Sequence, residues 1–424
     1  PYPNHRSLIP GFAELFLKTH DLVFASRPKF LAAEYMSYGQ KNLGAAPYGQ
    51  YWRNIRKLCT LELLSNSKVE FFKSMRREDL VNFVESLRTT AQDGSLIDIS
   101  AKVESLINDV MYRMVVGLKD DRFKLKPNIQ EGVSLTHVHG FSNELISDGR
   151  TGLGRRMKAV SKMVDELLDK IIEEHLSDAK EVQGTHMDFI DVMLSLIEAN
   201  DSRKLHLGRD HVKAITLDML AAGMHTSSTT VEWVIAELLK HPRVMKLVQE
   251  ELQRVVGLDR MVEETDFIKL DYMKMVIKET MRLHPVAPLL IPHESIDDIT
   301  IKGYFIPKKS RVLINTWAIG RDPNVWSSNA EEFYPERFIG TNIDFQGHDF
   351  RFLPFGSGRR KCPGIQLGLK VVELVISQLV HCFNLELPDN MSPDDLDMTE
   401  KFGIALSRAN HLMVVPTYRL LANL

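Results

Sequence analysis

Residues 350–369 read FRFLPFGSGRRKCPGIQLGL, with one cysteine, Cys362, between a glycine- and arginine-rich stretch and a Pro-Gly pair. The apolar run that follows has helical spacing, so the cysteine stands at the mouth of a helix. Proline suits such a start because it gives up no N–H that the helix needs. A thiolate there meets backbone N–H groups and the positive end of the helix dipole, which makes it a poor base and a steady metal ligand. An isolated cysteine is more often a small buried hydrophobe. The spacing argues otherwise. Phe355, Gly358, Arg360, Cys362 and Gly364 make F-x-x-G-x-R-x-C-x-G, five fixed positions within ten residues. The glycines let backbone turn sharply or approach a partner closely. The adjacent arginines suit a nearby anion or a solvated surface.

Other candidates are scattered and individually weak. Glu279 and Arg282 in KETMRLHP are three apart and share a helix face. Such pairs are commonly solvated, but Arg337 follows in FYPERF about fifty residues on. Trp52 and Arg56 in YGQYWRNIRKLC are one helical turn apart. His293 sits in PLLIPHES, and AAGMHTSST carries Ala222, Gly223, His225, Thr226 and Ser227. His137 and His139 form an H-x-H without further obvious metal ligands.

Helices must position most of these residues. Apolar residues recur at three and four over 79–91, 101–117, 155–179 and 186–199. The longest such run, 210–241, carries Gly223 to Thr226 and stops at Pro242. A helix of that span is about 48 Å long, enough to cross a domain. Strand-like pieces cluster late, at 299–307 and 311–319 about a lysine-containing turn, and again at 411–419. The segment 119–154 is the least regular. With no internal repeat and no low-complexity linker, the expectation is one mainly α domain over residues 1–424 with a minor β-sheet region.

Taken together, the motifs resemble those of the cytochrome P450 monooxygenases, in the plant A-type microsomal group, from about residue 11 to the end. The resemblance implies that Cys362 is the axial thiolate of haem b iron and Arg360 a propionate contact, with Phe355 shielding the sulfur and Gly358 and Gly364 passing close to the porphyrin. Trp52, Arg56 and His293 are implied further propionate contacts. Glu279, Arg282 and Arg337 match the family's Glu-Arg-Arg triad, a buried structural network. Gly223 is implied to let the long helix bulge over the porphyrin, and Thr226 to donate a hydrogen bond to dioxygen. His225 stands where the family has an acid, and histidine can also shuttle protons near neutral pH. By position, 35–50, 286–292 and 401–409 line the substrate pocket. Leu220, Val286, Ala287, Leu289, Leu290, Ile404 and Ala405 form its apolar wall.

The resemblance also implies partners. No G-x-G-x-x-G or P-loop is present, so electrons come from an NADPH-dependent reductase docking where Arg359, Arg360 and Lys361 cluster. The substrate is a small hydrophobic plant metabolite, phenolic, terpenoid or biaryl, hydroxylated with dioxygen. Family members sit on the cytosolic face of the endoplasmic reticulum membrane. Their anchor, hinge, first helix and first strands have no counterpart before residue 11, so the small sheet is expected to have an open edge. Two other readings are a haem-thiolate isomerase or dehydratase acting on hydroperoxides, invited by His225, and an inactive shortened haem protein.

Composition excludes other classes. A net charge of −3 and a pI near 6.6 make no electrostatic case for nucleic acid. Three dispersed cysteines form no disulfide framework and no paired zinc motif. No run of 18 consecutive apolar residues occurs.

Overall fold

A computed structural model describes residues 9–29, 31–117, 153–178, 188–198, 207–401 and 403–421. Most of 119–154, including His137 and His139, lies outside the described residues. Helix Arg209–Lys240 runs through the centre and is buried over most of its length. It continues unbroken past Gly223, and a new helix, Pro242–Val256, begins with Pro242 at its first position. Helix Ile99–Val116 lies along it. That helix starts where the Asp98 carboxylate accepts from Ala101 N at 2.9 Å and ends at Gly117, whose φ of 66° lies in the left-handed region.

Around this pair pack Lys73–Gln92, Leu153–Asp178, Phe189–Glu198, Asp271–Leu283 and Ile365–Cys382, sharing one large apolar core. Ile365–Cys382 is long and apolar enough to cross a membrane by length and composition, although its apolar residues are interrupted by polar ones. It is the innermost helix beside the central one, with Val375, Ile376, Leu379 and Val380 at 2% exposure or less. Its apolarity is accounted for by the core it fills.

Sheet is minor. Met413–Tyr418 pairs antiparallel with both Ile97–Asp98 and Phe383–Glu386. The piece expected at 299–307 is itself a hairpin, Ile299–Ile301 with Tyr304–Ile306, turned by Lys302 and Gly303, both at positive φ. The expected strand 311–319 is corrected. Only Arg311–Val312 is extended, and it pairs with His293–Glu294. Asn315 then accepts from Ala318 N and starts a short helix, Thr316–Gly320. On its other side Glu294 bridges to Ser26.

Candidate functional site

The cysteine loop is shaped by close backbone approaches. Gly358 has φ +67°, and a Cβ there would collide with the carbonyl oxygen of Leu17. A Cβ at Gly347 would strike the carbonyl of Gly356. Cys362 N donates to Phe355 O at 3.0 Å, closing the loop. The Phe355 ring meets Phe345 edge-on at 6.2 Å between centroids. Helix Ile365–Cys382 follows directly, capped by Gly364. Burial pushes the Cys362 thiol up from its ordinary value, opposed by a backbone hydrogen bond from Gly364 and by the charges of Arg56 and Lys361. The helix mouth therefore does not by itself make this thiol acidic; desolvation outweighs the N–H groups.

Beside the loop, cations converge on Trp52. The Arg360 guanidinium lies 4.1 Å from the Trp52 ring centroid, and that of Arg56 5.5 Å from it. Arg360 donates to Ala25 O and Ala46 O, both at 2.6 Å. Arg56 donates to Lys361 O at 2.6 Å. Arg27, which the motif reading missed, donates to Ile291 O and Pro292 O. His293 Nδ1 lies 2.8 Å from Phe24 O. Among the described residues none of these three arginines meets a carboxylate, and Arg27 Nε has no hydrogen-bond partner.

Burial, and like charge after it, lowers the proton affinity of these groups. Burial, then Arg27 and Arg56, pulls Arg360 down to about 8. Burial, then Arg56, lowers Arg27 to about 9. Burial, then Arg27, lowers His293 to about 3. Buried cations without anions are costly. Negative charge brought by a ligand would offset that cost. No spacing rule marks Arg27 in FASRP; only its burial reveals it.

Beyond its exposed first residues, Arg209 and Asp210, the long helix has an open patch. Ala222 and Thr226, one turn apart, are exposed, while Met224 and every residue from Ser227 to Val231 are buried. Thr226 Oγ1 donates to Ala222 O at 2.6 Å. A Cβ on Gly223 would collide with Met111 of the neighbouring helix, so this glycine permits close helix packing. The helix is regular α through it, in place of the expected bulge. Burial lowers His225, with Glu104 and Lys401 as the charges around it.

The expected pocket wall divides. Val286, Ala287, Leu289 and Ile404 are partly exposed, and Leu406 N donates to Val286 O at 2.8 Å, joining the two segments. Ala405 is buried at 6%. Leu220 is fully buried in the main core, and Leu290, at φ 48°, packs with Leu353, Phe350 and Ile314 in a second cluster. Leu220 lies on the buried face of its helix, whereas Leu290 Cδ1 comes within 3.6 Å of where a Cβ on Gly356 would stand, beside the cysteine loop.

Glu279, Arg282 and Arg337 are brought together. Glu279 accepts from Arg282 Nε at 2.7 Å and Nη2 at 2.8 Å, from Arg337 Nε at 2.8 Å and from Tyr334 N at 2.8 Å. Arg282 also donates to the carbonyls of Gly320, Ala330 and Glu332. The network thus ties helix Asp271–Leu283 to the irregular chain leading toward the cysteine loop.

Comparison with known proteins decides the family. The profile described as Cytochrome P450 matches residues 9–414. The chain belongs to the cytochrome P450 family. It is 52% identical to Cytochrome P450 CYP736A12 of Panax ginseng over 97% of this chain and 84% of that one. It is 40% identical to desmethyl-deoxy-podophyllotoxin synthase of Sinopodophyllum hexandrum, over 96% of this chain and 81% of the relative. A solved zebra fish cytochrome P450 with abiraterone superposes with a TM-score of 0.81 at 28% identity, covering 96% of this chain and 92% of that one.

The protein is therefore a haem-dependent P450 monooxygenase of the plant type, with the mainly helical P450 fold. Its residues fit haem. A planar group with two carboxylates and a metal answers the anion-free arginines, the orphaned Arg27 Nε and the lone cysteine beside them.

Proposed function

We propose that this P450 hydroxylates a small hydrophobic plant specialised metabolite, of phenolic, terpenoid or biaryl type, at the patch formed by Ala222, Thr226, Val286, Ala287, Leu289 and Ile404. The cation cluster with no carboxylate, next to the cysteine loop, is the observation that carries the placement of the site. Relatives named germacrene A hydroxylase, from Barnadesia spinosa, and salviol synthase, from Salvia pomifera, support a specialised-metabolite substrate.

Cys362 would hold the haem iron, and Arg27, Trp52, Arg56, His293 and Arg360 its propionates. When bound, the haem supplies dioxygen activation, with thiolate donation favouring O–O cleavage. The remaining work falls to side chains. Thr226 holds its hydroxyl proton toward Ala222 O and can turn it to the open side of the helix. His225, lowered by burial, is neutral near pH 7, so its ring can accept and pass on a proton. The apolar wall excludes water and seats the substrate by shape, with no cation to recruit an acidic one. Glu279, Arg282 and Arg337 serve as a structural brace. Gly358 and Gly364 allow the loop's close approaches.

The whole chain is read as one haem-binding unit, on the endoplasmic reticulum membrane by family resemblance. An NADPH-dependent reductase is its electron donor. In the expected docking cluster Arg360 points inward, while Arg359 pairs with Asp21 at 3.1 Å and Lys361 bonds Gln346 at 2.7 Å. The test is incubation with reductase, NADPH and labelled dioxygen across phenolic, terpenoid and biaryl compounds. One labelled oxygen atom per product is expected. Turnover of hydroperoxides without NADPH, and no labelled product, would replace this reading with an isomerase or dehydratase.

A further inference from the structure

One acidic side chain of the long helix has no part in the site so far described. Asp218 lies about two turns before Thr226 and faces the turn Asn42–Ala46, in the segment expected to cover the haem. Its Oδ1 accepts from Asn42 Nδ2 at 2.5 Å and its Oδ2 from Gly44 N at 2.8 Å. A Cβ on Gly44 would lie 3.4 Å from the same carboxylate, so the turn is closed tightly over it. Asn42 Oδ1 in turn accepts from Ala45 N at 3.1 Å. A second tie, from Lys41 Nζ to Asp210 at 2.5 Å, fixes the residue just before the turn to the same helix.

What this turn presents on its far side matters. Leu43 O accepts from Trp52 Nε1 at 3.1 Å and from Arg360 Nη1 at 3.5 Å, and Ala46 O from Arg360 Nη2 at 2.6 Å. These carbonyls set where the indole stands and where the guanidinium points. A carboxylate on one side of five residues is thereby linked to the cations on the other.

We propose that Asp218 is a positioning residue: it holds the Asn42–Ala46 turn on the long helix and, through the carbonyls of Leu43 and Ala46, orients Trp52 and Arg360 for the haem propionates. This rests on the haem reading given above. The carboxylate is matched only by donors here, so an amide of the same size cannot replace it. Asp218→Asn would set an N–H against either Gly44 N–H or the Asn42 amide.

The test uses holoenzyme. Hydrogen exchange over residues 40–48 and the rate of haem transfer to a scavenging apoprotein are compared for wild type, Asp218→Asn and, as a surface control 81% exposed, Asp271→Asn. Asp218→Asn is expected to speed exchange in that window and haem loss at least about tenfold, the equivalent of about 1.4 kcal/mol, while Asp271→Asn does neither. Wild-type values for both readouts in Asp218→Asn would overturn the proposal. If Asp218→Asn does not fold, Asn42→Ala removes the donating amide without touching the helix; faster haem loss then supports the proposal, and an unchanged rate overturns it. A wild-type protein that takes up no haem would instead defeat the haem reading, while exchange over 40–48 would still report whether Asp218 holds the turn.

Discussion

Replacing Glu279 by glutamine removes one charge from a site where water cannot substitute. The carboxylate and the Arg282 side chain have no exposure, and Arg337 has 8%. Oε1 accepts three hydrogen bonds and Oε2 one. A glutamine amide in its better orientation keeps its oxygen at the three-donor position. Its NH2 then faces Arg282 Nε–H, so at least one charge-assisted bond becomes a donor–donor conflict. Two buried guanidinium groups are left without an anion, and breaking a buried pair in this way costs about 3–5 kcal/mol. An unfolding entropy of about 2.1 cal/mol/K per residue gives roughly 0.9 kcal/mol/K for this chain, so the melting midpoint should fall by about 3–6 °C. The assay is a thermal melt of the holoenzyme, with Glu14→Gln as the comparison. Glu14 pairs with Lys18 in solvent and should shift the midpoint very little. A Glu279→Gln shift below about 1 °C would refute the reasoning, since at roughly 0.9 kcal/mol/K it leaves less than about 1 kcal/mol for a brace priced at 3–5.

Two further outcomes are expected. His175 Nδ1 lies 2.8 Å from Ile171 O and Nε2 2.8 Å from Asp188; burial alone would lower it, but these acceptors raise it from 6.5 to about 9. Its folded value being raised, the pair's contribution, about 3 kcal/mol at most, is complete below about pH 6.5 and disappears as pH rises through about 9. Urea midpoints of wild type should fall across that window relative to His175→Gln, and parallel profiles would exclude the pair as the cause. Replacing His225 by aspartate should keep haem binding and raise the product formed per NADPH; an unchanged or lower ratio would show that His225 does not limit proton delivery.

Helices were legible because their apolar faces repeat over many turns, so 101–117 and 210–241 agree with the observed elements within a residue or two. The late strands were not. A strand of two residues such as Arg311–Val312 is too short to show alternation, and the Asn315 cap that ends it reads as part of an apolar run. In the site, residues held by local spacing were visible, among them Cys362 in its loop and Glu279 with Arg282 on one helix face. Arg27 and Asp218 were not, because their partners lie 264 and 174 residues away. Leu220 shows the converse: position along a motif says which residues are near a pocket, while rotation about the helix decides which of them are buried in the core.

Ligation of iron by the Cys362 sulfur is the claim on which the account turns, and the spectrum of the reduced carbon monoxide complex tests it most directly. The account predicts the thiolate-type Soret band in wild type and its loss, with haem still bound by the arginine cluster, in Cys362→Ser. A wild-type spectrum of nitrogen-ligated haem, or the thiolate band persisting in Cys362→Ser, would contradict it.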